Sequence, residues 1–346
     1  MHKQKIETAR GLTATHSGAI AQGNGIAHEG AGLVAGVDIG GTHLRLALAD
    51  LSGNIRSRSS TTTAGIRDPD AVIGMICDGV RSMLDEAGAT AASLRAIAVG
   101  APGVTNVDEG IVIATSYLLG WRDVPLRARL EEELGVPAAI DNDVNLAAIG
   151  EGWRGVAGGE QDFVFLAMGT GLGAGIVLNG RPYRGRGWLA GEIGYMLLPG
   201  TADRPAKRNE PGTLEALIGG EGIQAQWREM WSAQETPLPR DLVATEIFDH
   251  ALNGDALART ILERTATMLA QAIYNVSLVL DCPLFVLGGG VGKHPALKAA
   301  TEEVLARGDA RVRPRVMASA LGAEAQLQGA IRAALDAAGV DVAAAR

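Results

Sequence analysis

The chain has 346 residues, 47% of them hydrophobic and 20% charged, with a formal net charge of −8. This is long enough for two domains and a sizeable core. The acidic balance leaves no global basic footprint, which speaks against nucleic acid as a partner. The apolar stretch Val276 to Leu287 is broken by Asp281 and Pro283, so no membrane span is expected. The two cysteines, Cys77 and Cys282, read as small core residues rather than a disulfide or metal pair, which suits a cytoplasmic setting.

Residues 1–32 are rich in Gly and Ala, without strong periodicity, and are expected to form a flexible tail. No continuous apolar segment follows the basic start, so the tail is a poor signal peptide. It holds His2, His16 and His28 but no evident scaffold for a metal site. It is also short for a DNA-reading helical domain with its linker.

Order begins at Leu33. LVAGVD reads as a strand, Ile39 to Thr42 as a tight turn and HLRLALAD as a second strand, in which Leu44, Leu46 and Leu48 alternate with His43, Arg45 and Ala47. Asp50 to Asn54 is a further turn, leading to a strand from Ile55. A dinucleotide fold or a P-loop needs a helix straight after its glycines. A strand follows here, so the hairpin tip is expected to present backbone N–H groups instead. Asp68-Pro69 opens a helix by cap and first-position rules, with an apolar stripe from Val72 to Leu84 and a stop at Gly88. Leu94 to Val99 is a strand running into Gly100-Ala-Pro-Gly103. Ile111 to Ala114 is another short strand, and Leu126, Leu130 and Leu134 mark a helix closed by Gly135.

Val136 to Ile140 is an apolar run too short for a helix. It reads as a buried strand ending in Asp141-Asn142-Asp143, and Leu146, Ala147 and Ile149 then fall at helical spacing. Polar groups at the carboxyl end of such a strand sit where open α/β sheets bind ligands. Asp143 can accept a proton, and Asn142 can both donate and accept hydrogen bonds. The competing reading is that Asp141 or Asp143 caps the helix, and the window taken alone favours capping.

After Gly159 the first pattern returns. Phe163 to Met168 is a strand, GTGLG a glycine turn, AGIVL a strand and Asn179-Gly180 a turn. Two such hairpins predict two related halves, each aiming a Gly/Thr turn at a shared ligand, and backbone N–H groups from both could cradle phosphates. From Arg181 to about Gly212 the chain reads as loop. Asp241 to Leu252 and Asp255 to Leu280 carry helical patterns, Leu284 to Leu287 is a buried strand before Gly288-Gly289-Gly290, and a last helix spans about Ala323 to Ala338.

DIGGTHLRLAL, GAPGV, GWRDVPL, DNDVNLAA, MGTGLGAGIVLNG, GEIGY and LGGGV occur in that order. Together they resemble the ROK family, bacterial repressors, open reading frames and kinases that include glucokinases and amino-sugar kinases. The resemblance runs from about Leu33 to the last helix. Each glycine motif alone is weak, and the ordered set is specific.

The resemblance implies an actin-like, RNase H-like fold, with two α/β domains around a central cleft. Residues 33–143, completed by the helix at about 320–338, would form the first domain and 144–319 the larger second. ATP and a sugar would meet between them. By match of motif, Asp143 is the implied general base, taking a proton from a sugar hydroxyl, usually the 6-hydroxyl, as it attacks the γ-phosphorus. Asn142, Glu192, Tyr195, Glu215 and Gly103 are implied on the sugar side. Asp38 is implied near Mg²⁺, through water. Gly40, Gly41 and Thr42 form the implied first phosphate turn, Gly169, Thr170 and Gly171 the second, and Gly288 to Gly290 the turn beside the adenosine. A homodimer is also implied.

Two departures from the family pattern bear on substrate. Tyr195 stands where many members have a His that contacts sugar and ligates a structural zinc. The segment that would supply the other zinc ligands, Ala206 to Thr213, has no Cys. A zinc-free subtype is therefore expected. Tyr117 stands where many members have Asn. Three functions are carried forward: a hexose kinase acting on glucose first, a kinase of an N-acetylated amino sugar (N-acetylglucosamine or N-acetylmannosamine), and a non-catalytic sugar-responsive regulator.

Overall fold

The computed structural model describes residues 32–341 apart from Ser116, Tyr117, Leu119, Arg208, Asn209, Asp309 and Ala310. The expected tail and Tyr117 therefore lie outside the described residues.

Strands β1 (Leu33–Ile39) and β2 (His43–Asp50) form the first hairpin, with Asp38 opposite Arg45 and Ile39 opposite Leu44. β3 (Ile55–Thr62) pairs with the outer side of β2. Helix α1 (Pro69–Glu86) starts where Asp68 accepts the Asp70 N–H at 3.1 Å, and its stripe from Val72 to Leu84 is buried. β4 (Leu94–Ala101) returns parallel to β1. Then come a small sheet of β5 (Val104–Asn106), β6 (Ile111–Ala114) and β7 (Arg122–Val124), helix α2 (Leu126–Leu134) and edge strand β8 (Ala138–Asn142). The first large sheet has the order β3-β2-β1-β4-β8.

Helix α3 (Asp143–Arg154) leads to the second large sheet, opened by β9 (Phe163–Met168), β10 (Leu172–Leu178) and β11 (Arg181–Tyr183). Helices α4 (Glu215–Ile218), α5 (Gly220–Met230), α6 (Ala244–Leu252) and α7 (Ala256–Leu280) follow. β12 (Leu284–Gly288), α8 (Gly289–Gly292), α9 (Pro295–Ala306) and β13 (Arg315–Ala318) complete that half, and α10 (Ala325–Ala337) returns to the first sheet. The second order, β11-β10-β9-β12-β13, repeats the first strand for strand. The repeat inferred from two Gly/Thr hairpins is thus a repeat of a whole sheet.

The first sheet is covered on both faces, and side-chain size follows the cover. Leu44, Leu46 and Leu48 join the cluster that includes the α1 stripe. Val34, Ala47 and Ala49 lie on the other face with Leu327 and Ile331 of α10. That helix lies so close that a Cβ at Gly36 would be 2.9 Å from Ile331. In the second half the core is a helical pack against the sheet, centred on Trp227, Phe248 and Leu269.

The structure extends the sequence reading in two stretches. Residues 181–212, read as loop, contain β11 and a turn of 3₁₀ helix at Ile193–Tyr195. Residues 213–240, which no pattern assigned, carry α4 and α5. The start of α5 holds Gly219, Gly220 and Gly222, which reads as a turn. Gly222 is instead a contact point, where a Cβ would lie 2.4 Å from the Ala216 carbonyl. Among the described residues no helix is long and apolar enough to cross a membrane.

Candidate active site

The end of β8 decides between capping and chemistry. The strand runs through Asn142, two residues beyond the apolar run, and Asn142 is the N-cap of α3. Its Oδ1 accepts the N–H groups of Val144 at 2.9 Å and Asn145 at 3.1 Å, while its Nδ2 donates to the Gly103 carbonyl at 2.9 Å. The cap is therefore neither Asp141 nor Asp143. Asp141 is turned to the other side, where its Oδ2 meets Arg184 Nη2 at 2.5 Å and its Oδ1 accepts from Asn145 Nδ2 at 3.0 Å. Asp143, first residue of the helix, is not the cap, although its Oδ1 also accepts the Val144 N–H at 3.0 Å.

Burial pushes the Asp143 carboxyl up to about 7, and the charge of Asp38 adds to it. Backbone N–H groups at the helix start pull the other way, and Glu192 raises it again. Gly100 makes the close approach possible. A Cβ there would lie 3.4 Å from the Asp143 Cα and 2.9 Å from Leu146. Gly100 pairs in register with Asp38 on one side and Asp141 on the other, so the two acids flank it on neighbouring strands. In the sequence Gly100 follows the strand and opens the GAPGV motif, but nothing in that pattern predicts that it gives Asp143 room to approach.

Asp38 is buried, and its Oδ2 accepts from Arg45 Nε at 2.9 Å and Nη2 at 2.5 Å. Burial still outweighs Arg45 and holds this carboxyl above its usual range. Arg45 also donates to the Ala323 carbonyl, just before α10.

The two Gly/Thr turns share a construction. In the first, the Thr42 carbonyl accepts from Thr63 N–H at 2.9 Å and Thr62 Oγ1 at 3.1 Å, and the Gly40 carbonyl accepts from Thr63 Oγ1 at 3.2 Å. In the second, the Gly169 carbonyl accepts from Gly220 N–H at 2.8 Å and the Thr170 carbonyl from Glu221 N–H at 3.2 Å. The carbonyls are drawn into the protein. Among the described residues, the N–H groups of Gly41, Thr42, Thr170 and Gly171 meet no acceptor, which leaves them for a ligand or water. Gly288 to Gly290 are not a simple turn but the junction of β12 and α8. Gly288 packs on Phe165, Gly289 has φ +77° with room for no Cβ beside the Met168 carbonyl, and Gly290 faces open space.

Glu192, Tyr195 and Glu215 come together on the second half. Burial and then the Glu215 charge raise the Glu192 carboxyl. Burial raises the Tyr195 phenol, helped by both glutamates. Glu215 Oε2 accepts the Leu172 N–H at 2.8 Å, tying this carboxylate to the strand that leaves the second Gly/Thr turn. A concavity of about 30 Å³ is lined by Asn142, Asn145, Trp188 and Glu192, among others. A larger one of about 570 Å³ lies elsewhere along α3, lined by Ile149, Trp153 and Arg184; neither glycine turn reaches it.

The stretch between Thr201 and Leu214 is held by side chains. Arg204 and Glu210 form a two-pronged ion pair at 2.8 and 3.0 Å, and Thr213 Oγ1 donates to the Met196 carbonyl at 2.7 Å. Among the described residues, no group of three or more His, Cys, Asp or Glu side chains is placed to hold a metal ion.

Repeated sheets and paired turns define an actin-like ATPase fold, and the raised carboxyl at the end of β8 marks a candidate site. The ROK family profile matches residues 34–337, and the chain belongs to the ROK family. A glucokinase from Halalkalibacterium halodurans is 34% identical over 266 residues, 75% of this chain and 80% of that one. An N-acetyl-D-glucosamine kinase from Shigella sonnei is 29% identical over 282 residues, 79% of this chain and 88% of that one. The structure of a ROK family glucokinase from Streptomyces griseus in complex with glucose and AMPPNP superposes with a TM-score of 0.73 at 26% identity, covering 88% of this chain and 100% of that one.

Proposed function

We propose that this chain is an ATP-dependent sugar kinase that transfers the γ-phosphoryl group of ATP to a hexose, with the 6-hydroxyl of glucose as the first acceptor. The observation that carries the reading is Asp143, a carboxyl released from capping by Asn142 and raised to about 7. Such a group suits a general base near neutral pH. It takes the hydroxyl proton as the sugar oxygen attacks phosphorus. Phosphoryl transfer otherwise asks for in-line positioning and stabilisation of oxygen charge. The free N–H groups of Gly41, Thr42, Thr170 and Gly171 would meet the phosphates, and Gly290 leaves room beside the adenosine. Glu192, Glu215, Tyr195 and Asn142 would accept or donate to sugar hydroxyls, with Gly103 orienting Asn142 through its carbonyl.

The donor set fits a divalent cation. Asp38 Oδ1 has no protein partner among the described residues, and the Asp38 charge adds to the raised carboxyl of Asp143. Asp38 would hold Mg²⁺ through water, and the ion would supply charge neutralisation at the phosphates.

The glucokinase relative supports glucose, and the N-acetyl-D-glucosamine kinase relative supports an amino sugar as the second reading. We further take residues 33–143 with the α10 segment, and 144–319, as two domains that close on substrate. We place the protein in the cytoplasm, as a zinc-free homodimer. Measuring ADP release against glucose, mannose, N-acetylglucosamine and N-acetylmannosamine tests the reading. Turnover with glucose above the others is expected. Sugar binding without ADP release from any of them would turn the protein into a regulator.

A further inference from the structure

We propose that Trp188 is the platform on which the sugar ring stacks, an inference that rests on the sugar-kinase reading above. Trp188 has φ +62°. A bulky side chain rarely holds that backbone, which favours glycine, and such strain gathers at ligand-binding positions. The loop around it is fixed at both ends. Arg184 is gripped by Asp141 at 2.5 Å, and its carbonyl accepts the Ala190 N–H at 3.2 Å. Gly191 gives its carbonyl to the Ala174 N–H at 2.8 Å, so close that a Cβ would lie 2.0 Å from the Ala174 oxygen. The strained residue is therefore held in place by its surroundings.

What the strain achieves is placement. Trp188 lines the same concavity as Glu192, Asn142 and Asn145, directly beside the α3 start that carries Asp143. Its indole is half-buried, whereas its neighbours Gly187 and Leu189 are exposed. Carboxylate and amide groups on one wall satisfy hydroxyls, and an aromatic face on another covers the C–H side of a pyranose. Trp121, Trp153 and Trp227 are buried in the cores, and Trp231 donates to the Leu238 carbonyl at 2.8 Å. A change of tryptophan emission on adding sugar should therefore come from Trp188.

Three variants, Trp188→Phe, Trp188→Ala and Trp188→Gly, test the proposal in the full chain. Trp188→Ala should raise the sugar KM about tenfold, the scale of one lost stacking contact, with KM for ATP and kcat within about twofold. Trp188→Phe should keep most of the sugar affinity and abolish the emission change. Trp188→Gly relieves the backbone, so it should raise the Tm while raising the sugar KM. A side chain that only packs would lower the Tm and leave the KM alone, and that outcome overturns the proposal. So does an emission change that survives in Trp188→Phe. If the wild type turns over no sugar, the kinase reading fails, while the emission titration with glucose and N-acetylglucosamine still decides the platform.

Discussion

Gly329 of α10 lies against Leu146 of α3 so closely that a Cβ at Gly329 would be 1.7 Å from the Leu146 carbonyl oxygen. The contact is reciprocal, since a Cβ at Gly150 of α3 would be 2.2 Å from the Ala325 carbonyl. These two helices join the repeated halves, and α3 begins at Asp143. Gly329→Ala must push them apart. Overpacking of this kind costs about 1–3 kcal/mol, and here it also shifts the base. The expected outcome is a lower Tm and a lower kcat, with ATP binding retained. Gly74, exposed in α1 with no atom near its Cβ position, is the control. Gly74→Ala should stabilise by up to about 1 kcal/mol and leave turnover unchanged. Thermal melts and steady-state kinetics on both variants check the pair.

Arg184→Ala leaves the Asp141 carboxylate buried without its cation, although Asn145 and the Asn142 N–H still bond to it. A loss of about 2 kcal/mol in unfolding free energy is expected. Because Asp141 Oδ1 steadies Asn142 and Asn145, kcat should fall too. Arg184→Lys restores charge but not the fork, so it should recover only part of both. Denaturant unfolding and turnover would measure the two effects, and unchanged values in Arg184→Ala would remove this ion pair from the account.

Asp143 must be charged to act as a base, and its carboxyl is raised to about 7. In the free enzyme, kcat/KM for the sugar should therefore fall about tenfold per pH unit below that value and level off above it. A flat kcat/KM profile between pH 5.5 and 8 would exclude a base of this kind.

Protein purified without added zinc should hold no stoichiometric zinc, and EDTA should leave its Tm unchanged. The stretch that carries Glu210 and Thr213 is tied by Arg204 and by the Met196 carbonyl instead. The Arg204–Glu210 pair is exposed and adds little on its own. Thr213→Val, which removes a buried bond, should loosen this segment more than Glu210→Gln. Hydrogen exchange over residues 196–214 would report the order, and elemental analysis would report the metal.

What the sequence disclosed was local. Asp68-Pro69 marks a helix start by chemistry confined to three residues, and Leu44, Leu46 and Leu48 mark a strand by alternation alone. The Gly/Thr turns were legible because each lies between two short strand-like runs. The cap of α3 was not. Whether Asp141, Asn142 or Asp143 caps depends on how far β8 continues and on Arg184, which is 43 residues away. Helix α5 was hidden because its buried face includes Gln226, whose Nε2 donates to the Leu217 and Gly222 carbonyls, and because its glycines serve packing. Trp188 gave no signal at all, since a left-handed backbone at tryptophan has no sequence signature.

The Asp143→Asn substitution separates base from bystander. It keeps size and hydrogen-bonding capacity and removes the charge. Asn142 already caps α3, so the helix start should survive the change. Turnover should fall by about 10²–10⁴-fold, the range of general acid–base catalysis, while ATP binding through the glycine turns changes little. Stability should move the other way. A carboxyl raised from 3.8 to about 7 binds its proton more tightly folded than unfolded, so the wild type loses stability as pH rises through that window. Asn does not titrate. The variant should therefore match the wild type near pH 4 and melt at a higher temperature above pH 7. A protein more stable at pH 8 and nearly inactive is the expected result, measured by paired melts and ADP-release assays. Near-normal turnover in a folded Asp143→Asn protein would take Asp143 out of the mechanism and leave Asp38, the neighbouring acid, as the next residue to substitute.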